Sequence, residues 1–241
     1  KAEATARARR VTNRVGVLAP FFTYPSFVQR LRGISDALAG ASCELVIYNV
    51  DSAHRLRGYL ESLPILRRLD GLILISVLVD DKIVERLLAH NLQTVVIETS
   101  HPALGGVEID NCYGGELAAQ YLIGKGRRRM AFIGGDVEIP NYTLRTSVLR
   151  LAGFRAGLQA AGATLPDEYV AQGEHGVEPA RVLAHALLGL EKPPDAIFAA
   201  NDTLALGVLK AARERGLRIP GDLAVIGFDD LDTADHIGLT T

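Results

Sequence analysis

Short, wholly apolar runs alternate with longer amphipathic ones along nearly the whole chain, and that alternation limits the fold more than any other feature. Residues 15–19, 45–48, 72–75, 94–97, 130–133, 196–199 and 223–226 read as strands. Most are apolar at every position, not at alternate ones, as strands of a parallel sheet covered on both faces are. Between them, residues 26–38, 55–69, 82–90, 115–123, 143–159, 178–188 and 202–215 carry helical periodicity. Repeated strand–helix alternation predicts an α/β protein built on doubly wound parallel sheets. One continuous sheet of so many strands would be wide, so two lobes of comparable size are expected.

The helix ends carry their own signals. Ser26 with Gln29 has capping-box spacing and Pro25 suits a first turn, while Asp80, Asp81 and Asp202 can accept the first free amide hydrogens. Gly40, Gly126, Gly162 and Gly216 fall where a left-handed residue closes a helix. Pro64 is the misfit and predicts a kink or stop near Leu63.

At 241 residues the chain can bury a large core. Its 48% hydrophobic and 22% charged residues are those of an ordinary globular protein. A net charge of −2 argues against a body that coats itself in nucleic acid. Cys43 and Cys112 have neither metal spacing nor a disulfide pattern and read as reduced packing residues. No apolar run reaches membrane-spanning length and the N-terminus has no apolar signal core, so no membrane contact and a cytoplasmic location are expected. Residues 1–14 differ from the rest: Lys1, Arg7, Arg9, Arg10 and Arg14 stand against Glu3 alone. Such a segment fits a frayed, solvated terminus or a DNA-contacting hinge.

Ligands of open parallel sheets bind beyond the carboxyl ends of the strands. Asn201, which can donate and accept at once, and Asp229, which accepts when ionised, sit at two such ends and together suit vicinal hydroxyls. Each has a bland alternative, a helix cap at Asn201 or Asp202 and a turn at Asp229 or Asp230. Arg150 opens an amphipathic helical run and can offer a fork of donors to hydroxyls or a carboxylate, or can lie exposed. Phe21, Phe22, Tyr24 and Phe27 crowd the loop after the first strand. Phe21, Tyr24 and Phe27 are candidates for the apolar face of a sugar ring or a planar base, with core packing expected for one or two of the four. His175 could stack neutral, attract an anion when charged, or lie exposed in its loop. Ser76, Thr99 and Asp110 sit at strand ends as polar lining.

The search for catalytic and metal motifs is negative. Gly124-Lys125-Gly126 lacks the glycine and hydroxyl of a phosphate-binding loop and ends a helix instead of opening one. No G-x-G-x-x-G, H-E-x-x-H or G-x-S-x-G occurs in a suitable context, and the histidines have no ligand spacing. No enzyme activity, metal or cofactor is expected.

Several stretches, in order, resemble the effector domain of the lactose-repressor/galactose-repressor family of bacterial transcription regulators. They are Val-Gly-Val-Leu at 15–18, Leu-Asp-Gly-Leu-Ile-Leu at 69–74, Glu-Ile-Asp-Asn at 108–111 and Arg-Met-Ala-Phe-Ile-Gly-Gly at 129–135. Ala-Gly-Phe-Arg at 152–155, Ile-Phe-Ala-Ala-Asn-Asp at 197–202, the run from Leu217 to Asp230 and Leu-Thr-Thr at 239–241 continue the series. The resemblance implies a periplasmic-binding-protein-like fold of type I. It places an N-terminal lobe at 15–110, a C-terminal lobe at 111–238, and the start of a return crossover at 239–241 that would complete the first lobe. Residues 1–14 then stand as a basic linker or hinge remnant, and the chain is expected to be a fragment. Arg150, Asn201 and Asp229 match positions that bind effector in the family.

The resemblance also implies a homodimer, operator DNA bound through a headpiece absent from this chain, and a small sugar-like effector held between the lobes. Asp229→Ala and Arg150→Ala should then abolish ligand binding and leave the fold intact. A solute-binding protein of a sugar transporter, which shares the fold, is the alternative. One departure is local: relatives have a loop like Pro-Asp-Leu-Ser-Asn-Pro-Phe-Phe where this chain has Pro20-Phe21-Phe22-Thr23-Tyr24-Pro25-Ser26-Phe27, and the usual effector contacts do not carry over intact there.

Overall fold

The computed structural model describes residues 12–136, 138–139, 142–143 and 146–241, with the backbone alone at 136, 138–139 and 142–143. Lys1, Arg7, Arg9 and Arg10 of the basic segment lie outside the described residues. Arg14, grouped with them by sequence, is the first residue of strand β1, where it pairs with Glu44 at 2.6 Å. The chain divides into two compact units: Lys1–Ile109 with Ile139–Tyr142, and Asp110–Glu138 with Thr143–Thr241.

The first unit is built on a parallel sheet of order β2-β1-β3-β4-β5, formed by β1 (Arg14–Pro20), β2 (Glu44–Val50), β3 (Gly71–Ile75), β4 (Gln93–Ile97) and β5 (Gly105–Val107). Its helices are α1 (Pro25–Leu38), α2 (Ala53–Leu66) and α3 (Asp81–Ala89). Val17, Ala19 and Ile75 form one sheet face with Phe27, Leu31 and Ile34 of α1 packed on it. Alternate residues Leu18, Leu72, Leu74 and Val96 are likewise at most 1% exposed. At the sheet centre, in β1 and β3, both faces are therefore covered, which explains strands apolar at every position there, whereas Ile47 of β2 and Val95 of β4 remain 43% and 44% exposed.

Three expectations change here. Pro25 does open α1, but Ser26 lies inside its first turn; the cap position is Tyr24, whose carbonyl accepts from the Val28 amide at 2.9 Å. Helix α2 runs through Pro64 to Leu66 and closes on Arg67 in the left-handed region, φ 50°. The proline forfeits one backbone bond near the helix end while its ring is buried with Leu60 and Leu63. Gly40 is not left-handed, whereas Gly126, Gly162 and Gly216 are, at φ 77°, 73° and 69°.

The second unit has a parallel sheet of order β11-β10-β6-β9. Its strands are β6 (Met130–Asp136), β9 (Val170–Glu174), β10 (Ala196–Ala199) and β11 (Ala224–Ile226), and a separate ribbon pairs β7 (Glu138–Ile139) with β8 (Tyr142–Thr143). Helices α4 (Asn111–Gly124), α5 (Thr146–Ala160), α6 (Val177–Leu187), α7 (Asp202–Glu214) and the short α8 (Ala234–Ile237) complete the unit. Phe132, Phe154 and Phe198, none of them accessible to solvent, meet at centroid distances of 5.1 to 6.4 Å in its core. Thr240 of the terminal Leu-Thr-Thr bridges in parallel to Ile226 of β11, so this end of the chain lies against the second unit's own sheet.

Helix α4 begins four residues before the sequence expectation, at Asn111, with Asp110 as its cap: Oδ1 accepts from the Tyr113 amide at 2.9 Å. Asp110 thus has a structural role as the cap of α4. The strand before it ends at Val107 and does not extend to Asp110.

Candidate functional site

In the second unit the exits of β10 and β11 lie side by side, and α5 adds a guanidinium to them. Arg150, 4% exposed, donates from Nε to Asn111 Oδ1 at 2.8 Å and from Nη1 to the Ala200 carbonyl at 2.5 Å. Its Nη1 stands 3.6 Å from Asp229 Oδ1, and its guanidinium carbon lies 3.4 Å from the centre of the Phe228 ring. The exposed-arginine alternative is excluded by that burial. A buried arginine is stable where its donors and charge are matched, and here a carbonyl, an amide oxygen, a carboxylate and a ring face do so.

Asp229 and Asp230 follow β11 with φ of 112° and 50°. Left-handed backbone at non-glycine residues costs about 1–3 kcal/mol, and such strain gathers where a side chain must be aimed. Asp229 keeps 12% of its side chain accessible. Asn201 caps α7: its Oδ1 accepts from the Leu204 amide at 2.9 Å. With that oxygen engaged once, the amide NH2 is the donor group of the side chain. Asp202 is not a cap. It is 1% exposed, and its Oδ2 accepts from the Leu231 amide at 2.9 Å, tying the start of α7 to the loop after β11. Burial pushes its carboxyl above the ordinary range.

His175 follows β9 and is half-buried. Burial lowers its pKa below the ordinary histidine value, which favours the neutral ring.

In the first unit the aromatic loop divides. Phe21, at φ 53°, stacks on Tyr24 at 5.0 Å, and both rings remain half-buried. Phe27 is 5% exposed inside the core of that unit and offers no face to a ligand. Ser76 is 4% exposed and donates its hydroxyl to Glu98, while Thr99 donates to the Val77 carbonyl at 3.1 Å. Ser76 is therefore interior support, because its one proton is committed to a buried partner. Of the first unit's candidates, Phe21 and Tyr24 keep accessible surface suited to stacking.

Four contributors escaped the sequence reading. Asn111 and Phe228 hold Arg150, and both lie inside stretches already singled out for other reasons. Glu98 and Arg30 form a partly buried ion pair in the first unit. The one local hint was a carboxylate immediately after an apolar strand.

Among the described residues no group of three or more His, Cys, Asp and Glu could hold a metal ion, and no helix is long and apolar enough to cross a membrane.

Residues 119–240 match the family described as periplasmic binding protein-like domain. The chain is 31% identical over 230 residues to the ribose operon repressor of Escherichia coli (strain K12), covering 94% of this chain and 68% of that one. It is 31% identical over 247 residues to the HTH-type transcriptional repressor PurR of Erwinia tasmaniensis, covering 99% and 71%. Among solved structures, a complex of the transcriptional regulator CelR with cellobiose superimposes with TM-score 0.77 at 29% identity, covering 94% and 70%. A LacI regulator from Lactobacillus casei with bound Tris gives TM-score 0.80 at 25% identity, covering 94% and 82%. These relatives are transcriptional regulators and not enzymes.

Proposed function

Because the chain belongs to the lactose-repressor/galactose-repressor family of transcriptional regulators, we propose that it senses a small, hydroxyl-rich, sugar-like effector through the strand exits of its second unit. The effector domain of a repressor, rather than a transporter's solute-binding protein, is the reading its relatives support. The observation that carries the ligand assignment is the convergence on Arg150 of Asn111, Ala200 and Asp229, beside the Asn201 cap. Sugar hydroxyls donate and accept together. Within the second unit Asp229 supplies an acceptor and Asn201 and Arg150 supply donors; in the first unit, taken by itself, the stacked Phe21–Tyr24 pair offers an apolar surface suited to a ring.

Dimerisation, and operator DNA bound through a headpiece outside residues 1–241, are part of the same proposal, as is action in the cytoplasm where operators are. The effector shifts repression only through a difference in affinity between two conformations; a hundredfold preference corresponds to about 2.7 kcal/mol.

The test is a thermal-shift panel of D-ribose, D-glucose and cellobiose. A bound sugar at 100 times its Kd stabilises by about 2.7 kcal/mol. Asp229→Asn, nearly isosteric, should abolish that gain with the fold retained. Arg150→Ala no longer serves as the companion. A guanidinium this buried also ties α5 to the β10 exit, and its loss should destabilise by about 3 kcal/mol or more. An Asp229→Asn protein with undiminished sugar response would exclude this site.

A further inference from the structure

We propose that Glu98 is a positioning residue, which holds the Phe21–Tyr24 pair in its ligand-ready geometry by cross-tying three strand exits of the first unit. The inference rests on the effector reading above for its ligand consequence, but its structural half stands alone.

The argument begins with backbone strain. Phe21 directly follows β1, Ser76 follows β3 and Glu98 follows β4, and all three are non-glycine residues in the left-handed region, at φ 53°, 55° and 66°. Each such bend is unfavourable for an L-residue and persists only where its surroundings over-determine it.

Backbone bonds hold part of each bend: the Ser76 amide donates to the Ile97 carbonyl at 2.8 Å and the Glu98 amide to the Val107 carbonyl at 2.9 Å. The side chains do the rest. The Glu98 carboxylate, 7% exposed, accepts from the Ser76 hydroxyl through Oε2 and from Arg30 Nη2 through Oε1. Arg30 is on α1, one turn beyond Phe27, and its guanidinium lies 5.3 Å from the centre of the Phe27 ring. Phe27 meets Phe21 edge-on at 6.5 Å, and Phe21 stacks on Tyr24. A continuous series of contacts thus runs from the β3 and β4 exits, through one buried carboxylate, to the accessible aromatic pair.

A buried carboxylate with two donors is costly to leave half-paired. Removing its charge frees Arg30, loosens the packing around Phe27 and releases the Phe21 bend. The effect is local to the aromatic loop.

The chain contains no tryptophan, so Tyr24→Trp supplies a single emission signal in the loop. In that background, Glu98→Gln and Arg30→Gln should each raise acrylamide quenching about twofold and red-shift the emission. The combined variant should be no worse than either alone, as expected of partners in one contact. Glu98→Gln in the otherwise unaltered chain should weaken binding of the sugar that the panel identifies by about tenfold. A Leu158→Val truncation in the core of the second unit, which lowers stability without touching the loop, should leave quenching unchanged. Unchanged quenching in both polar variants, or quenching that rises equally with Leu158→Val, would overturn the positioning role. If none of the sugars binds the unaltered chain, the effector reading fails instead, and the quenching result still decides the role of Glu98 in holding the loop.

Discussion

At Asp202 the helix-opening carboxylate is almost sealed from solvent, and its charge is a liability. Burial raises its pKa, so the folded protein resists ionising it. A raised folded pKa means the associated stability is complete below the unfolded value, near 3.9, and is lost as pH rises through the folded one. Asp202→Asn keeps an acceptor for the Leu231 amide and removes the charge. It should raise the melting temperature by about 2–4 °C at pH 7, and the advantage should vanish as pH falls toward 4 in melts across that range. His175 has the opposite sign: its depressed pKa stabilises above the unfolded value and that contribution is lost on acidification. Residue chemistry was legible to a limited depth. That Asn201 and Asp229 are polar groups at strand ends follows from their neighbours in the chain; that Asn201 has its oxygen engaged and that Phe27 and Ser76 are interior follows from partners elsewhere.

Among the elements, the α4–α5 crossing is the tightest fit. A Cβ on Gly153 would stand 1.8 Å from the Cys112 carbonyl oxygen, and one on Gly115 would stand 2.1 Å from that of Arg150. The helices touch through backbone, which brings Asn111 within reach of Arg150. Gly114 leaves room on the same helix for the Phe228 ring that stacks on that arginine. This is why α4 starts earlier than its pattern suggests: paired glycines read as a break, each unfavourable in a helix by about 1 kcal/mol, yet close packing outweighs that cost. Gly153→Ala should therefore destabilise by about 3 kcal/mol. Gly58→Ala, in mid-α2 with open space around its Cβ position, should stabilise by about 0.5–1 kcal/mol. Denaturant melts of the two variants check the contrast. Strand β9 was missed for a related reason. It lies at the edge of its sheet and pairs with β6 alone, so polar Gln172 and Glu174 are tolerated and no apolar run marks it.

For the whole molecule, the division into two units has a direct consequence. The second unit owns a continuous core from Ala118 to Leu239, centred on Phe132, Phe154 and Phe198. A polypeptide of residues 110–241 should fold alone and unfold in one cooperative transition, as a domain with its own core does; a broad or absent transition by circular dichroism would show that it depends on the first unit. Most strands and helices in their order, the two-sheet α/β architecture and the polar character of the strand exits were determined by sequence alone, because saturated apolar runs and helical periodicity are local properties; the edge strand β9 lacks such a run and was not. Which exit groups remain available to a ligand was decided only by tertiary structure. Arg150 meets Asn111 and Ala200 across 39 and 50 residues, Ser76 meets Glu98 across 22, and Arg30 meets Glu98 across 68. Burial and hydrogen-bond partnership at such separations depend on how the elements pack, and no local pattern encodes them.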